Sequence, residues 1–150
     1  MSRTRLAALL VAGVACTRGP PEPAAVDTKN DSCASCRMAV SDVRFAAQLV
    51  APGEEPRFFD DVGCLRDYLR RGPKLPAGTV AYVADHRTRA WQRASRAVFT
   101  RRDALETPMA SHLIAHGSAA SRDSDPEAAG GTPVSTAELF GPAGPPDGKP

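Results

Sequence analysis

The chain has 150 residues and a formal net charge of +2, from 19 lysine and arginine residues against 17 aspartate and glutamate residues. A chain of this length suits one compact domain or two very small repeats. Aromatic residues make up only 5% of the sequence, and no stretch interleaves them with basic residues. A nucleic-acid-binding function therefore has little support.

The N-terminus predicts an exported protein. Arg3 and Arg5 form a positive segment, and residues 6–15 form an apolar run with the length of a signal-peptide core, too short to span a bilayer. Small residues precede Cys16, so cleavage there places a cysteine at the mature N-terminus, as in bacterial lipoproteins. We expect residues 1–15 to be a signal peptide and Cys16 to carry a lipid. Ordinary cleavage that leaves a free Cys16 thiol is the alternative.

Proline-rich segments flank the region of the sequence that is expected to fold. Residues 16–30 place closely spaced prolines among small and charged residues, a composition that favours an extended, disordered tether. Residues 141–150 are rich in glycine and proline and predict a disordered tail. The folded domain is therefore expected over residues 31–140.

The first part of this domain predicts the order strand, strand, helix, strand. Asp60 or Asp61 is placed to cap the helix, whose apolar residues follow at helical spacing. The β-branched and aromatic content of the last segment favours a strand. The predicted elements are strands over residues 45–50 and 57–59, a helix over 62–69 and a strand over 79–84.

The second part predicts a similar order, although no matching residues connect the two halves. Pro126 interrupts its only helical segment, which predicts an irregular helix. The predicted elements are short strands over 90–92 and 97–100, a break at 106–109, an apolar segment within 111–116, a helix over 118–129, a strand over 132–134 and a turn of helix over 136–140.

Soft metal ligands gather between Cys33 and Met38, where two thiols and a thioether fall within six residues. A thiolate beside a thioether suits Cu(I) better than Zn(II), which seldom uses methionine. If Cys36 to Met38 is extended, both sulfur atoms point to the same face, whereas Cys33 reaches them only through a turn. A redox dithiol, half of a zinc site and a disulfide are the alternatives for a Cys-x-x-Cys sequence.

The cysteine count also points to a metal site or a spare thiol. With Cys16 assigned to lipid, Cys33, Cys36 and Cys64 remain, and an odd number in an exported protein leaves one unpaired. Cys64 is predicted in the first turn of the helix. The alternative interpretation for Cys64 is a small buried hydrophobic residue.

A second group of candidate ligands comprises Met109, His112 and His116. Met109 follows Thr-Pro in a break between elements, where a side chain is more often directed at a ligand than packed in a core. His112 and His116 share a face in a helix and in a strand. We favour a solvated surface pair for the histidines, and His112 is a lower-ranked candidate ligand.

Motifs of catalysis are absent from the sequence, which has no glycine-rich phosphate loop, HExxH or Gly-x-Ser-x-Gly. Asp60 and Asp61 are adjacent carboxylates whose side chains diverge, and helix capping explains them more simply than acid–base chemistry. The sequence therefore predicts a binding protein and not an enzyme.

Four separated segments carry a family resemblance: Cys33-Ala-Ser-Cys36-Arg-Met38, Ser41-Asp42-Val-Arg44-Phe45-Ala46-Ala47, Phe59-Asp60-Asp61-Val-Gly63-Cys64-Leu65 and Thr107-Pro108-Met109. In this order they resemble the NosL family of accessory lipoproteins of nitrous oxide reductase maturation. The likeness runs from about Asp31 to Phe140, and four motifs in order are far more specific than one Cys-x-x-Cys.

The resemblance implies an α+β fold of two small ββαβ units packed as one compact domain. It also implies a Cu(I) metallochaperone that is lipid-anchored in the periplasm. Such a protein receives copper from a membrane ABC-type transporter complex and passes it by ligand exchange to the copper sites of the reductase. Transfer of this kind needs an open, low-coordinate site, whereas a closed four-ligand cage suits structural metal.

The family's site residues can be placed one by one in this sequence. The Cys-x-Met pair falls on Cys36 and Met38, and the later methionine falls on Met109. Cys33 and Cys64 also match family positions, but no firm metal role is carried over to them. We expect the Met109 thioether to lie beside Cys36 and Met38 in the folded protein.

Two other functions compete with the copper chaperone. An exported thiol–disulfide oxidoreductase would use Cys33 and Cys36, although such motifs normally open a long helix that lowers the thiol pKa, and none is predicted here. A structural zinc domain would use Cys33, Cys36, Cys64 and one histidine.

Overall fold

The computed structural model describes residues 19–149. The predicted signal peptide and the candidate lipidation residue Cys16 lie outside the described residues, so both stay predictions. Within residues 19–149, no helix combines the length and the apolar character needed to cross a membrane.

The first ββαβ unit is found as the sequence predicts. Its elements are β1 (Ala47–Val50), β2 (Arg57–Phe59), α1 (Val62–Arg70) and β3 (Val80–Ala84). Strand β1 lies between β2 and β3 and pairs with both in antiparallel register. Every residue of β1 and β3 is buried, including the polar Gln48 of β1.

The strand predicted around Trp91 belongs to the first sheet and does not begin the second unit. It forms β4 (Trp91–Arg93), which pairs antiparallel with β3 and gives the sheet the order β2-β1-β3-β4. The short connection over residues 85–90 explains this arrangement, because two adjacent strands joined by a short turn form a hairpin.

The second unit repeats the order of the first. Its elements are β5 (Val98–Arg101), β6 (Leu113–His116), α2 (Ala119–Asp123) and β7 (Thr132–Val134), followed by α3 (Thr136–Phe140). Strand β5 lies between β6 and β7, as β1 lies between β2 and β3. The predicted α+β fold of two ββαβ units is therefore confirmed.

The predicted helix over residues 118–129 is divided, as Pro126 suggested. Helix α2 ends at Asp123, and a single 3₁₀ turn follows over Pro126–Ala128. The Asp125 side chain caps this turn by accepting a hydrogen bond from the Glu127 N–H at 2.9 Å. Asp125 thereby gains a fixed position between the two short helical segments.

One apolar core serves both units. It draws side chains from both sheets and from α1 and α3, among them Phe59, Leu65, Val83, Phe99, Leu113 and Leu139. Cys33 and Cys64 belong to the same cluster, so two of the candidate ligands are also packed core residues.

The described part of the proline-rich tether has no helix or strand, and it lies against the first sheet. The buried Gln48 side chain exchanges two hydrogen bonds with the Ala24 backbone, at 2.8 and 3.0 Å. The Tyr82 hydroxyl donates to the Pro21 carbonyl at 2.6 Å. These contacts hold the segment before Cys33 on the protein surface.

The C-terminal tail also lies on the first sheet, which differs from the disordered tail that its composition predicts. The Ala81 N–H donates to the Pro146 carbonyl at 2.8 Å, and the Gly148 N–H donates to the Thr79 carbonyl at 2.9 Å. Strand β4 pairs with only the last part of β3. The tail therefore pairs with the edge of β3 that β4 leaves free.

Asp85 links the end of the first unit to the second. Its carboxylate accepts hydrogen bonds from the Thr88 N–H at 2.8 Å and the Arg87 N–H at 3.1 Å, and from the Gly117 N–H after β6 at 2.8 Å. Burial favours the neutral carboxyl, but these hydrogen bonds outweigh it and hold the pKa of Asp85 at about 2.

We expect Asp85→Asn to lower the free energy of unfolding by about 2 kcal/mol at neutral pH, because an amide replaces a carboxylate that accepts three N–H groups. The folded pKa lies below the unfolded value, so this contribution is complete above about pH 4 and is lost as the pH falls toward 2. Urea titrations at several pH values measure it. Asp123→Asn, on the surface, is the control, and a stability difference for Asp85→Asn that does not shrink in acid contradicts the argument.

Candidate metal centre

The segment between Cys33 and Met38 forms a tight turn. The Cys33 N–H donates to the Met38 carbonyl at 2.8 Å, and the Arg37 N–H donates to the Cys33 carbonyl at 3.0 Å. Arg37 has a φ of 69°, in the left-handed region. The extended conformation considered for Cys36 to Met38 is therefore not observed, and the turn instead brings Cys36 beside Cys33.

Three cysteines and one carboxylate meet at this turn. Sulfur atoms of Cys33, Cys36 and Cys64 and a carboxylate oxygen of Asp60 all lie within 4.8 Å of one another. The Ala34 N–H donates to the Phe58 carbonyl at 2.7 Å, which attaches the turn to β2. Asp60 follows β2, and Cys64 lies in the first turn of α1. The cluster thus joins the turn, the end of a strand and the start of a helix.

Asp60 is the member of the cluster that sequence reasoning missed. The capping role expected of the Asp60-Asp61 pair is performed by Asp61 alone, whose side chain accepts from the Gly63 N–H at 2.6 Å. Asp60 is buried and lies 3.5 Å from the Cys36 sulfur. Because adjacent side chains diverge, only one residue of the pair can cap the helix, and this signal was present in the sequence.

The buried thiols perturb one another's ionisation. A hydrogen bond from the Cys64 thiol lowers the pKa of Cys33, and the same hydrogen bond together with burial raises the pKa of Cys64. Burial also raises the pKa of Cys36. Cys33 is therefore the thiol most readily ionised, and a metal ion binding to all three sulfurs would displace protons from the other two.

Met109 is held over the start of α1 by the capping residue. The Met109 N–H donates to Asp61 Oδ2 at 3.1 Å, and the Ser111 hydroxyl donates to Asp61 Oδ1 at 2.5 Å. A cavity of about 320 Å³ is lined by Cys36, Cys64 and Met109 among other residues. Residues from two distant parts of the chain therefore line one cavity, and metal ligation by Cys36 and Met109 stays a prediction.

Met38 and His112 lie differently from the cysteine cluster. The Met38 side chain is 60% exposed, and Met38 is not among the residues that line the described cavity. The His112 ring faces the Leu105 carbonyl, with Nδ1 at 2.9 Å, and His112 is outside the described cluster. Metal ligation by either residue stays a prediction.

The interpretation of His112 and His116 as a solvated pair is wrong. His116 belongs to β6, has no exposed surface and makes a 2.9 Å contact with Asp125 through Nε2. His112 precedes the strand with a φ of 58°. The left-handed residue breaks the regular alternation, so the four-residue spacing does not place the two rings on one solvated face.

The NosL family model matches residues 23–139 of the chain. The chain belongs to the NosL family. Neither the curated proteins nor the solved structures contain a match to it. NosL proteins are copper-binding accessory proteins, and the cysteine cluster lies within the matched residues. The family resemblance of the sequence is thus confirmed, and the cluster supplies a group of side chains able to hold a metal ion.

Gly63 sets the distance between α1 and the Met109 segment. A Cβ atom at residue 63 would lie 2.5 Å from the Ser111 Cβ and 3.0 Å from Asp61 Oδ1. We expect Gly63→Ala to destabilise the protein by about 1–3 kcal/mol, because the two segments must move apart. Chemical denaturation provides the measurement.

The matched background for this substitution is Ser111→Gly, which removes the atom that the new methyl group would meet. Gly63→Ala should then cost less stability than it does in the wild type. Equal costs in the two backgrounds would show that the close approach of these segments is not the reason.

Proposed function

We propose that this NosL protein is an extracytoplasmic Cu(I) chaperone. The observation that carries the proposal is the convergence of Cys33, Cys36 and Cys64 beside a cavity that Met109 also lines. Three thiols and a thioether form a ligand set that favours Cu(I) over harder metal ions. Copper is the cargo of this site, held for delivery and not for catalysis.

The exposure of the sulfur residues supports an asymmetric site. Cys33 and Cys64 are buried in the core, Cys36 is partly exposed, and Met109 is 44% exposed. Cu(I) would be held from the inner side by the buried sulfurs and reached from the cavity by a partner. A sulfur or imidazole of that partner would displace Met109 first and Cys36 next.

Proton movement accompanies this exchange. Binding of Cu(I) requires thiolates, so the neutral thiols of Cys36 and Cys64 give up protons when the ion arrives. When the ion leaves, the same sulfurs take protons back. Asp60, whose pKa burial raises and which lies 3.5 Å from the Cys36 sulfur, is placed to exchange a proton with Cys36.

We extend the proposal to the cellular setting on the basis of the N-terminal sequence and the family resemblance of the sequence motifs. The predicted signal peptide and lipidation of Cys16 would place the protein in the periplasm, anchored to a membrane. Its copper donor would be a membrane ABC-type transporter complex, and its client would be nitrous oxide reductase. We propose these partners from the family resemblance of the sequence motifs.

Structural zinc binding is a second candidate function. Three cysteines and the Asp60 carboxylate together offer the four ligands of a tetrahedral zinc site. A dithiol oxidoreductase is less well supported. Its attacking thiolate must be accessible, yet the easily ionised Cys33 has no exposed surface, whereas burial raises the pKa of the more exposed Cys36.

We expect Cys36→Ser and Met109→Leu each to weaken Cu(I) binding by about tenfold or more, because each removes a sulfur ligand. Anaerobic competition of the reduced protein with a chromophoric Cu(I) chelator measures the affinity. Leucine has nearly the volume of methionine, so the fold is retained. Met38→Leu is the matched comparison, and it tests whether the exposed Met38 also binds copper.

The same variants separate copper from zinc. Met109→Leu should leave Zn(II) affinity nearly unchanged, because methionine is seldom a zinc ligand, whereas Asp60→Asn should weaken Zn(II) more than Cu(I). The chaperone function would be contradicted if the wild-type protein competed for Cu(I) no better than the Cys36→Ser, Met109→Leu double variant.

A further inference from the structure

A second cluster of metal-ligand side chains lies within the protein and away from the sulfur cavity. His86 follows β3, His116 ends β6, and Asp125 precedes the 3₁₀ turn. One ligand atom from each lies within 4.8 Å of the others. The three residues are exposed by only 2%, 0% and 5% of their surfaces, respectively.

One carboxylate oxygen holds both rings. Asp125 Oδ2 lies 2.7 Å from His86 Nδ1 and 2.9 Å from His116 Nε2. The other oxygen, Oδ1, is fixed by the Glu127 N–H. Both imidazoles are therefore directed at one carboxylate oxygen, and the three candidate ligand atoms already lie close together.

The remaining ring nitrogens have no hydrogen-bond partner. His86 Nε2 and His116 Nδ1 are both buried and unpaired, and the His86 ring packs against Phe45. Leaving a buried polar atom unpaired costs free energy, and each such atom in a native structure needs a reason. Both nitrogens are therefore free to carry the ring proton when the nitrogen that faces Asp125 binds an ion.

We propose that His86, His116 and Asp125 bind one divalent transition-metal ion that prefers nitrogen and oxygen ligands, with Zn²⁺ as the reference ion. Two imidazoles and one carboxylate are a ligand set of known zinc sites. In tetrahedral coordination with bonds of about 2.0–2.1 Å, ligand atoms lie about 3.3 Å apart. The observed contacts of 2.7 and 2.9 Å need to widen by only about half an ångström.

Metal binding can occur without release of a proton, because the second nitrogen of each ring can take the proton that the ligating nitrogen loses. In the metal-free protein, the ring nitrogens that face the Asp125 carboxylate act as the hydrogen-bond donors, because carboxylate oxygens only accept. When the ion binds, each proton moves to the opposite ring nitrogen, so no proton is lost and no redox change occurs. His86 Nε2 then becomes a donor, and Glu127 Oε2 lies 3.7 Å from it. Ligating histidines characteristically donate their other N–H to such a carboxylate.

Asp125 also lines a cavity of about 380 Å³ beside α2, whereas neither histidine lines it. The backbone N–H of His86 donates a hydrogen bond to the Ala115 carbonyl of β6 at 2.8 Å. An ion at this site would therefore join the end of β3 to the second sheet and lock the two units together.

The donor set separates this site from the sulfur cavity. Thiolate and thioether groups select Cu(I), whereas imidazole with carboxylate suits Zn²⁺ and similar divalent ions. The two sites would thus hold different ions in one protein, and the second is independent of the chaperone function.

The test is Zn²⁺ titration of the full chain with all four cysteines replaced by alanine (Cys16→Ala, Cys33→Ala, Cys36→Ala and Cys64→Ala), which removes every thiol. We expect one equivalent of Zn²⁺ to bind and to raise the melting temperature. Asp125→Asn and His86→Gln should each reduce the affinity about tenfold or more. His112→Gln, a histidine outside the cluster, is the matched control and should leave binding unchanged.

A second measurement does not depend on the cysteine substitutions. In the ¹⁵N-labelled wild-type chain, Zn²⁺ added to two equivalents, enough to fill the cysteine cluster as well, should shift the ring nitrogens of His86 and His116 but not those of His112. Absence of these shifts, or equal Zn²⁺ binding by Asp125→Asn in the cysteine-free chain, would overturn the proposal. Cu(I) competition by Asp125→Asn should match wild type, so failure of one site is distinguishable from failure of the other.

Discussion

The carboxylate of Asp61 joins the two parts of the chain that carry sulfur. It is fully buried and accepts three hydrogen bonds: from the Gly63 N–H in α1, and from the Met109 N–H and the Ser111 hydroxyl in the segment before β6. A buried carboxylate is stable only when its oxygens are paired, so the helix cap and the position of the Met109 segment depend on the same group. Asp60, which diverges from its neighbour, then joins the cysteine cluster.

Much of the fold could be predicted because its signals are local. The buried run of β3, the apolar face of α1 and the interruption at Pro126 each follow from residues within one element. The order of elements along the sequence placed β4 in the second unit, although the short turn over residues 85–90 favours a hairpin with β3, as observed. The docking of the tail on β3 could not be predicted from local signals, because pairing with a free edge is a property of the assembled sheet.

The candidate site was predictable in its chemistry and less so in its geometry. Cys36 and Met109 were expected near one another because of the family motifs, and they share a cavity. The conformation of the turn could not be read from the sequence, since Arg37 adopts a left-handed φ that is uncommon outside glycine, asparagine and aspartate. His116 was misassigned because its partner, Asp125, lies beyond α2 and the ring is buried only after both units pack.

The two clusters differ in how firmly their ligands are held, and this difference bears on what each could do with an ion. Cys33 and Cys64 are packed among core side chains, so neither can swing away without disturbing that packing. Met109 is fixed through its backbone N–H, and its half-exposed thioether can rotate at little cost. An ion there would have firm ligands on one side and a replaceable ligand on the other, which stepwise exchange requires. His86, His116 and Asp125 present no exposed ligand, so an ion among them would leave slowly and would serve structure in place of transfer.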